Sequence, residues 1–380
     1  MKKKKSVTFV IPCLNEEKTL PFVLKKLVNV QKEYKALYEI EILVSDNGSK
    51  DKSVSIAKKF GANVASATEK GYGSALDTGI RKAKGEIIVF ADADDTYDFL
   101  ESPALIAKLI ETDSDMVIGS RLDGKIHDGA MPFLHRYLGT PVINWIINLL
   151  YAKKTKIRDS NSGFRCFKKE SYLKWNVKSK GMEFASELLI KALINESSMY
   201  HVPVSLYPDK AGRIPHLRTW RDGMRHLLRI LFYGSHLFER TGLFIFLLAW
   251  SQLFVSVFVG KVITLFGANF YGLHSMVLFS FLSVLGLNLW GTGLLIATKQ
   301  AKISKTYERI LALEEDKLFF SLMGGFLIII ISLVWLFIRW QSGGFVFINL
   351  ERELIFASSL SLTLLVFSLF AVTAHIIKRD

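Results

Sequence analysis

Cysteine is nearly missing from this chain. Two residues of 380, Cys13 and Cys166, allow no disulfide framework, and their separation fits no metal-ligand spacing, so both read as small buried side chains. Charge is scarce in one part only. Asp, Glu, Lys and Arg make up about 28% of residues 1–240 but about 12% of residues 241–380, which excludes a single soluble globule. Residues 1–240 show no Ser/His/Asp or Cys/His constellation of a covalent catalyst, and no recognition helix or aromatic RNA-binding motif accompanies the net charge of +14. Met1–Lys5 and the apolar Val7–Ile11 imitate a signal peptide, but Pro12 and Asn15-Glu16-Glu17 follow without a small-residue cleavage site, so no signal is expected.

The charge-poor part contains the uncharged runs 241–260, 262–298, 318–338 and 354–377. Roughly 20 apolar residues at 1.5 Å rise cross a hydrocarbon core of about 30 Å. Four transmembrane helices are expected near 242–266, 275–298, 318–339 and 354–377. Lys299, Lys302, Lys305, Arg309 and Lys317 occupy the loop 299–317, Lys378 and Arg379 the C-terminus, and no charged residue the turn 267–274. The positive-inside rule then puts both termini and residues 1–240 in the cytoplasm, with Lys261 snorkelling at the outer end of the first span. The short loops leave span faces able to pack against further copies of the chain as a homo-oligomer.

In residues 1–240 short β-branched runs alternate with helical patterns: Val7–Ile11 then Lys18–Val30, Glu41–Val44 then Lys52–Phe60, Asn63–Ala65 then Ser74–Ala83, Ile87–Phe90 then Pro103–Glu111, and Met116–Ile118. Such alternation predicts an α/β domain with a mostly parallel sheet, whose ligands bind beyond the carboxyl ends of the strands. The residues there are Pro12–Glu17, Ser45–Asp51 and Ala91–Asp98. The last set carries Asp92, Asp94, Asp95 and Asp98, four carboxylates that repel one another unless a cation or hydrogen-bond donors neutralise them. A solvated acidic turn that caps a helix is the plainer reading. Asp46-Asn47-Gly48-Ser49 is likewise either a ligand loop or a turn, and Lys70-Gly71-Tyr72-Gly73 either a backbone approach to a ligand or a helix cap.

In this order and spacing, V-I-P-C-L-N-E-E (Val10–Glu17), V-S-D-N-G-S-K-D (Val44–Asp51), K-G-Y-G (Lys70–Gly73) and A-D-A-D-D (Ala91–Asp95) resemble the family-2 glycosyltransferases of GT-A fold. Gly119-Ser120-Arg121, His135–Thr140, Asp159–Arg165 and Gly181–Glu187 are similar to the polyprenyl-phosphate branch, which includes dolichyl-phosphate mannose synthases and undecaprenyl-phosphate glucosyltransferases. The resemblance implies a GT-A head at 1–212, amphipathic interfacial helices at 213–240 and an all-α membrane domain at 241–380. It implies that Asp46, Asn47, Lys70 and Gly71 with Pro12, Asn15, Glu16 and Glu17 hold the nucleotide. Asp92 and Asp94 match a D-x-D that binds Mg²⁺ or Mn²⁺ under the donor diphosphate. Arg121, Arg136, Thr140 and Arg213 fall where members bind phosphates. Asp159, Ser162, Arg165 and Glu183 fall on the acceptor and sugar side, where a structural network with Arg165 paired to a carboxylate is the competing reading. Two positions depart from the pattern: Thr96 stands where some members place a further metal-reaching side chain, and Lys210–His216 replaces the usual basic Ser-Lys-Leu form.

The activity so implied is inverting transfer of one sugar from a nucleotide donor to a polyprenyl phosphate at the cytoplasmic face. A lipid phosphate is already ionised and needs no strong base. Arg218, Arg221, Arg225 and Arg229 recur at helical spacing before the first span, as an interfacial helix or as its ordinary positive flank. Two rivals are a processive polysaccharide synthase, whose Q-x-x-R-W motif is missing here, and a non-catalytic translocase or scaffold, against which Asp92, Asp94, Arg121 and Arg136 argue. Lys2–Lys5 reads as a solvated tail near anionic lipid, and the partner expected is the bilayer, not nucleic acid.

Overall fold

The computed structural model describes residues 4–210, 219–259, 263–265, 268–300, 303–343 and 350–379. Arg213, Arg218, Lys261, Lys302, most of Lys210–His216 and the 212/213 boundary lie outside the described residues. The chain divides into two compact units, Met1–Ile230 and Leu231–Asp380.

In the first unit the alternating pattern folds as expected. β1 (Lys5–Cys13), α1 (Leu20–Glu33), β2 (Tyr38–Asp46), α2 (Ser53–Lys59), β3 (Asn63–Ser66), α3 (Tyr72–Lys82), β4 (Ile87–Phe90), α4 (Ser102–Glu111) and β5 (Met116–Ser120) follow one another. After them come α5 (Thr140–Tyr151), β6 (Arg165–Lys168), α6 (Lys169–Trp175), α7 (Phe184–Ile194), β7 (Met199–Pro203) and α8 (Thr219–Tyr233), whose last turn passes the boundary at Ile230. The sheet order is β3-β2-β1-β4-β6-β5-β7. It is parallel except for β6, which runs antiparallel to both β4 and β5.

Register carries the loops to one edge. β1 and β2 pair from Lys5↔Tyr38 to Cys13↔Asp46, and Val10 pairs with Phe90, so the segments after β1, β2 and β4 leave the sheet side by side. The strands here are buried on both faces and read as continuous apolar runs, as parallel sheets require. α1 presents Leu20, Val23, Leu24, Leu27 and Val30 to that core at helical spacing. Beneath the β4 loop Phe9, Phe99 and Phe164 meet edge-on, with centroids 6.0 and 5.7 Å apart, each buried ring stabilising the fold by about 2–3 kcal/mol.

In the second unit, α9 (Ser235–Val259), α10 (Leu273–Ala297), α12 (Glu315–Ser342) and α13 (Glu351–Arg379) are long and apolar enough to span a membrane, with the short α11 (Lys305–Leu311) between the middle two. α9 starts seven residues before the expected Gly242 and includes Glu239 and Arg240. Of the expected first span, Ile263–Leu265 is instead β8, paired antiparallel with β9 (Ala268–Phe270), because apolar composition does not distinguish a helix from a short hairpin. α9 and α10 approach at Gly242 and Gly286, where a Cβ on either would lie 2.7–2.8 Å from the other's carbonyl oxygen.

Candidate active site

The loops after β1 and β2 are knitted together. Ser49 Oγ accepts from the Asn15 N–H at 3.0 Å, and Asn15 Oδ1 accepts from the Lys50 N–H at 2.8 Å. The Glu16 N–H donates to Ser53 Oγ, and that of Glu17 to Asp51, both at 3.0 Å. Asn15 sits at φ 56°, a left-handed turn that Asn tolerates. The nearly buried Asp46 carboxylate accepts from the Gly48 and Ser49 N–H groups at 3.1 Å. Asn47 staples the next loop: its amide donates to Glu69 O and accepts from the Gly71 N–H, each at 2.8 Å. Pro12, Asn15, Glu16, Glu17, Asp46, Asn47 and Gly71 therefore line one edge as a built cradle, while Lys70 is exposed beside it.

The acidic loop sorts its four carboxylates. Asp95, at φ 61°, meets Lys26 of α1 at 2.9 Å and Lys210 at 2.7 Å, and Asp98 meets Lys26 at 3.3 Å and accepts from the Leu100 N–H. Burial opposes the charge on Lys26, but the two carboxylates outweigh it and hold its pKa above the ordinary lysine value. Asp94 Oδ1 accepts from the Thr96 N–H at 3.0 Å and from its hydroxyl at 2.7 Å. Asp92 Oδ1 accepts from the Tyr72 hydroxyl at 2.8 Å, and a Cβ at Gly163 would lie 2.7 Å from Oδ2. Lysines thus neutralise Asp95 and Asp98, while Asp92 accepts from the Tyr72 hydroxyl and Asp94 from the N–H and hydroxyl of Thr96.

Among the described residues no three His, Cys, Asp or Glu side chains converge as a complete metal cage. The oxygen pair of Asp92 and Asp94 suits a hard divalent ion of the kind held by one or two carboxylates and completed by substrate phosphates. Thr96 turns its hydroxyl to Asp94, which fixes that carboxylate from behind.

Beyond β5, Arg121 forms a fork-to-fork pair with the fully buried Asp159, Nε to Oδ2 at 2.8 Å and Nη2 to Oδ1 at 2.7 Å. Burial would lower the Arg121 pKa, but Tyr97 and Asp159 raise it. Arg165, also fully buried, pairs with no carboxylate in this way among the described residues. Its guanidinium donates to the carbonyls of Ser162 (3.1 Å), Ala185 (2.9 Å) and Ser160 (2.8 Å), and burial pushes its pKa down to about 10. Ser162 Oγ donates to Gly119 O at 2.5 Å, and the Gly163 N–H donates to the Tyr97 hydroxyl at 2.8 Å. Asp159, Ser162 and Arg165 consequently act on the shape of the 159–165 loop, which presses Gly163 against Asp92.

Glu183 precedes α7 and accepts from the Gly181 N–H at 3.3 Å. The buried Glu187 gathers the Lys178 and Ser179 N–H groups, the Ser179 hydroxyl, Lys191 at 3.1 Å and Arg229 of α8 at 4.0 Å. Arg225 stands 3.7 Å from Asp222, and Arg221 is exposed. Arg136 is exposed on a π-helical turn (His135–Gly139), while Thr140, next along the chain, is buried. These two are not drawn into the Arg121–Asp159 pair. Tyr72, Tyr97 and Gly163 lie inside the segments Lys70–Gly73, Ala91–Asp98 and Asp159–Arg165 without a signal of their own, and Lys26 lies outside every motif.

Seven strands with hydrogen-bonded loops at one edge, a D-x-D after β4 and membrane-length helices downstream define a membrane-integrated GT-A enzyme. Residues 8–174 match the family described as glycosyl transferase family 2. The chain is 32% identical over 292 residues to the low-salt glycan biosynthesis hexosyltransferase Agl6 of Haloferax volcanii, covering 75% of this chain and 66% of that protein. It is 32% identical over 209 residues to the uncharacterised glycosyltransferase Rv0539 of Mycobacterium tuberculosis, covering 55% of this chain and 88% of the relative. With the dolichol-phosphate mannosyltransferase of Pyrococcus furiosus it shares 28% identity over 234 residues, 59% of this chain and 63% of that one. The chain spans about two thirds of the length of Agl6 and of the Pyrococcus protein. It belongs to glycosyl transferase family 2 and is a glycosyltransferase that uses a nucleotide sugar.

Proposed function

We propose that the enzyme transfers a single hexose from a nucleoside-diphosphate sugar to a polyprenyl phosphate at the cytoplasmic face of its membrane, with inversion, giving polyprenyl-phosphate sugar and free nucleoside diphosphate. The observation that carries this reading is the Asp92–Asp94 pair at the end of β4, level with the Asp46 cradle, in a chain that also supplies four membrane-length helices. The named activities of Agl6 and the Pyrococcus mannosyltransferase support it.

In this reading residues 1–212 are catalytic, 213–240 interfacial and 241–380 membrane-embedded. Asp46, Asn47, Lys70 and Gly71 with Pro12, Asn15, Glu16 and Glu17 take the base and ribose. Asp92 and Asp94 would hold Mg²⁺ or Mn²⁺, which when bound neutralises charge on the leaving diphosphate. Arg121, Arg136, Thr140 and Arg213 serve the phosphates; Asp159, Ser162, Arg165 and Glu183 shape the acceptor and sugar side. The ionised phosphate oxygen attacks the anomeric carbon directly, so the chain needs only to align it opposite the leaving group.

The test incubates membranes containing the full chain with a panel of labelled nucleotide sugars, polyprenyl phosphate and Mg²⁺ or Mn²⁺. Label in an organic-extractable, mild-acid-labile lipid is expected. Label in a water-soluble polymer, or equal transfer by Asp94→Ala and the parent chain, overturns the reading.

A further inference from the structure

The segment 133–151 of the first unit is built inside out. Its exposed large apolar side chains include Phe133, Leu134, Tyr137, Leu138, Trp145 and Leu149, with Phe133 77%, Trp145 64% and Leu149 63% exposed. Leu134, Leu138, Trp145 and Leu149 recur at spacings of four, seven and four, which is one face of a helix. The opposite face buries Ile147 together with most of the helix's polar groups. Thr140 and Asn144 are buried, Asn144 donates to Arg158 O at 2.6 Å and accepts from the Ser160 N–H at 2.9 Å, and Asn148 bridges both backbone groups of Ile157 at 2.7 and 2.8 Å. Tyr151 donates its hydroxyl to Ile230 O. Four hydrogen bonds from two asparagines therefore fix the rotation of α5 so that its most apolar face points away from the protein.

An apolar stripe of this size on a soluble surface marks an interaction site. Its chemistry selects the occupant. No acidic residue occurs between Gly129 and Arg158, whereas Arg136, Lys153, Lys154, Lys156 and Arg158 do. Lys153 and Lys154 both pair with Glu196, at 3.1 and 3.3 Å. Arg158 stands 3.5 Å from Asp123. Large apolar and aromatic side chains in a segment whose own charges are all positive match the acyl boundary and anionic headgroups of a bilayer, while a second copy would bring like charges together. The four membrane-length helices tether this unit to such a surface.

The geometry points to the 133–149 face as a bilayer-docking surface that inserts into the interfacial layer of an anionic membrane. The same asparagines that turn the stripe outward grip residues 157–160, next to the Asp159 that pairs with Arg121, so docking would set the depth of the acceptor side. That last consequence rests on the proposed lipid acceptor; the docking itself does not.

The test reconstitutes the full chain in phosphatidylglycerol-containing vesicles and labels Trp145→Cys, and separately Leu149→Cys, with an environment-sensitive fluorophore. Cys13 and Cys166 are buried and stay unlabelled. Lipids spin-labelled at the upper acyl chain should quench both probes several-fold more than a probe at the exposed Lys59→Cys on α2. Equal quenching at all three sites overturns the proposal, as does energy transfer between copies at position 145 without lipid quenching. No sugar donor is present, so quenching in a chain that transfers nothing would keep the docking surface and remove only the lipid-acceptor reading.

Discussion

Arg121 and Asp159 lock together through three hydrogen bonds, two from the guanidinium at 2.7 and 2.8 Å and one from the Arg121 backbone N–H at 2.9 Å. With Asp159 fully buried, this pair also clamps the end of β5 to the 159–165 loop, whatever else Arg121 binds. Asp159→Asn leaves a buried cation without its counter-charge, a loss of about 3–5 kcal/mol, and Arg121→Lys loses the fork geometry. Thermal unfolding of the detergent-solubilised chain should show a lower midpoint for both, the larger drop for Asp159→Asn.

Asp94 and Asp95 are neighbours with different work. Asp95 is already matched by Lys26 and Lys210, so Asp95→Asn should disturb stability and leave most of the transfer rate. Asp94→Asn should lower kcat/KM on the order of 10²-fold or more, the cost of removing a main charge-stabilising group. Rates measured across a Mn²⁺ titration distinguish the two.

Asp92 is positioned from two sides, by Tyr72 and by Gly163. Burial and Asp92 hold the Tyr72 pKa well above the ordinary value, so its hydroxyl remains a donor at every working pH. Tyr72→Phe should cost about 1 kcal/mol of stability and raise the metal concentration for half-maximal rate. Gly163→Ala should lower the rate more, because its Cβ would have to displace a carboxylate that Tyr72 holds.

His226 of α8 contacts Ser186 of α7 at 2.7 Å, with Glu183, Asp222 and Arg165 in its field. Burial depresses its pKa below the ordinary value of about 6.5 despite the two carboxylates. Below that ordinary value the unfolded chain takes up a proton that the folded chain resists, so stability falls as pH falls from there towards the folded pKa. The unfolding midpoint of His226→Gln should decline less between neutral and mildly acid pH than that of the parent chain.

Much of this was legible in the order of residues. Four- and five-residue apolar runs between amphipathic segments have few ways to bury themselves, and the parallel strands and their loops followed from that. The direction of β6 did not, because Arg165–Lys168 is compatible with either pairing until β4 and β5 flank it. Spacing brought Asp92 and Asp94 to attention but not the lysines that neutralise Asp95, since Lys26 lies 69 positions away on α1.

By itself, then, the sequence determined the two-part character of the chain, its strand ends and the types of residue at them, because hydrophobic period and charge density act locally. Tertiary structure alone decided which carboxylates are spent on lysines, that Arg165 is held by carbonyls and Arg121 by Asp159, and that α5 turns its apolar face outward. Those outcomes depend on hydrogen bonds between segments distant in the chain, which no local pattern encodes.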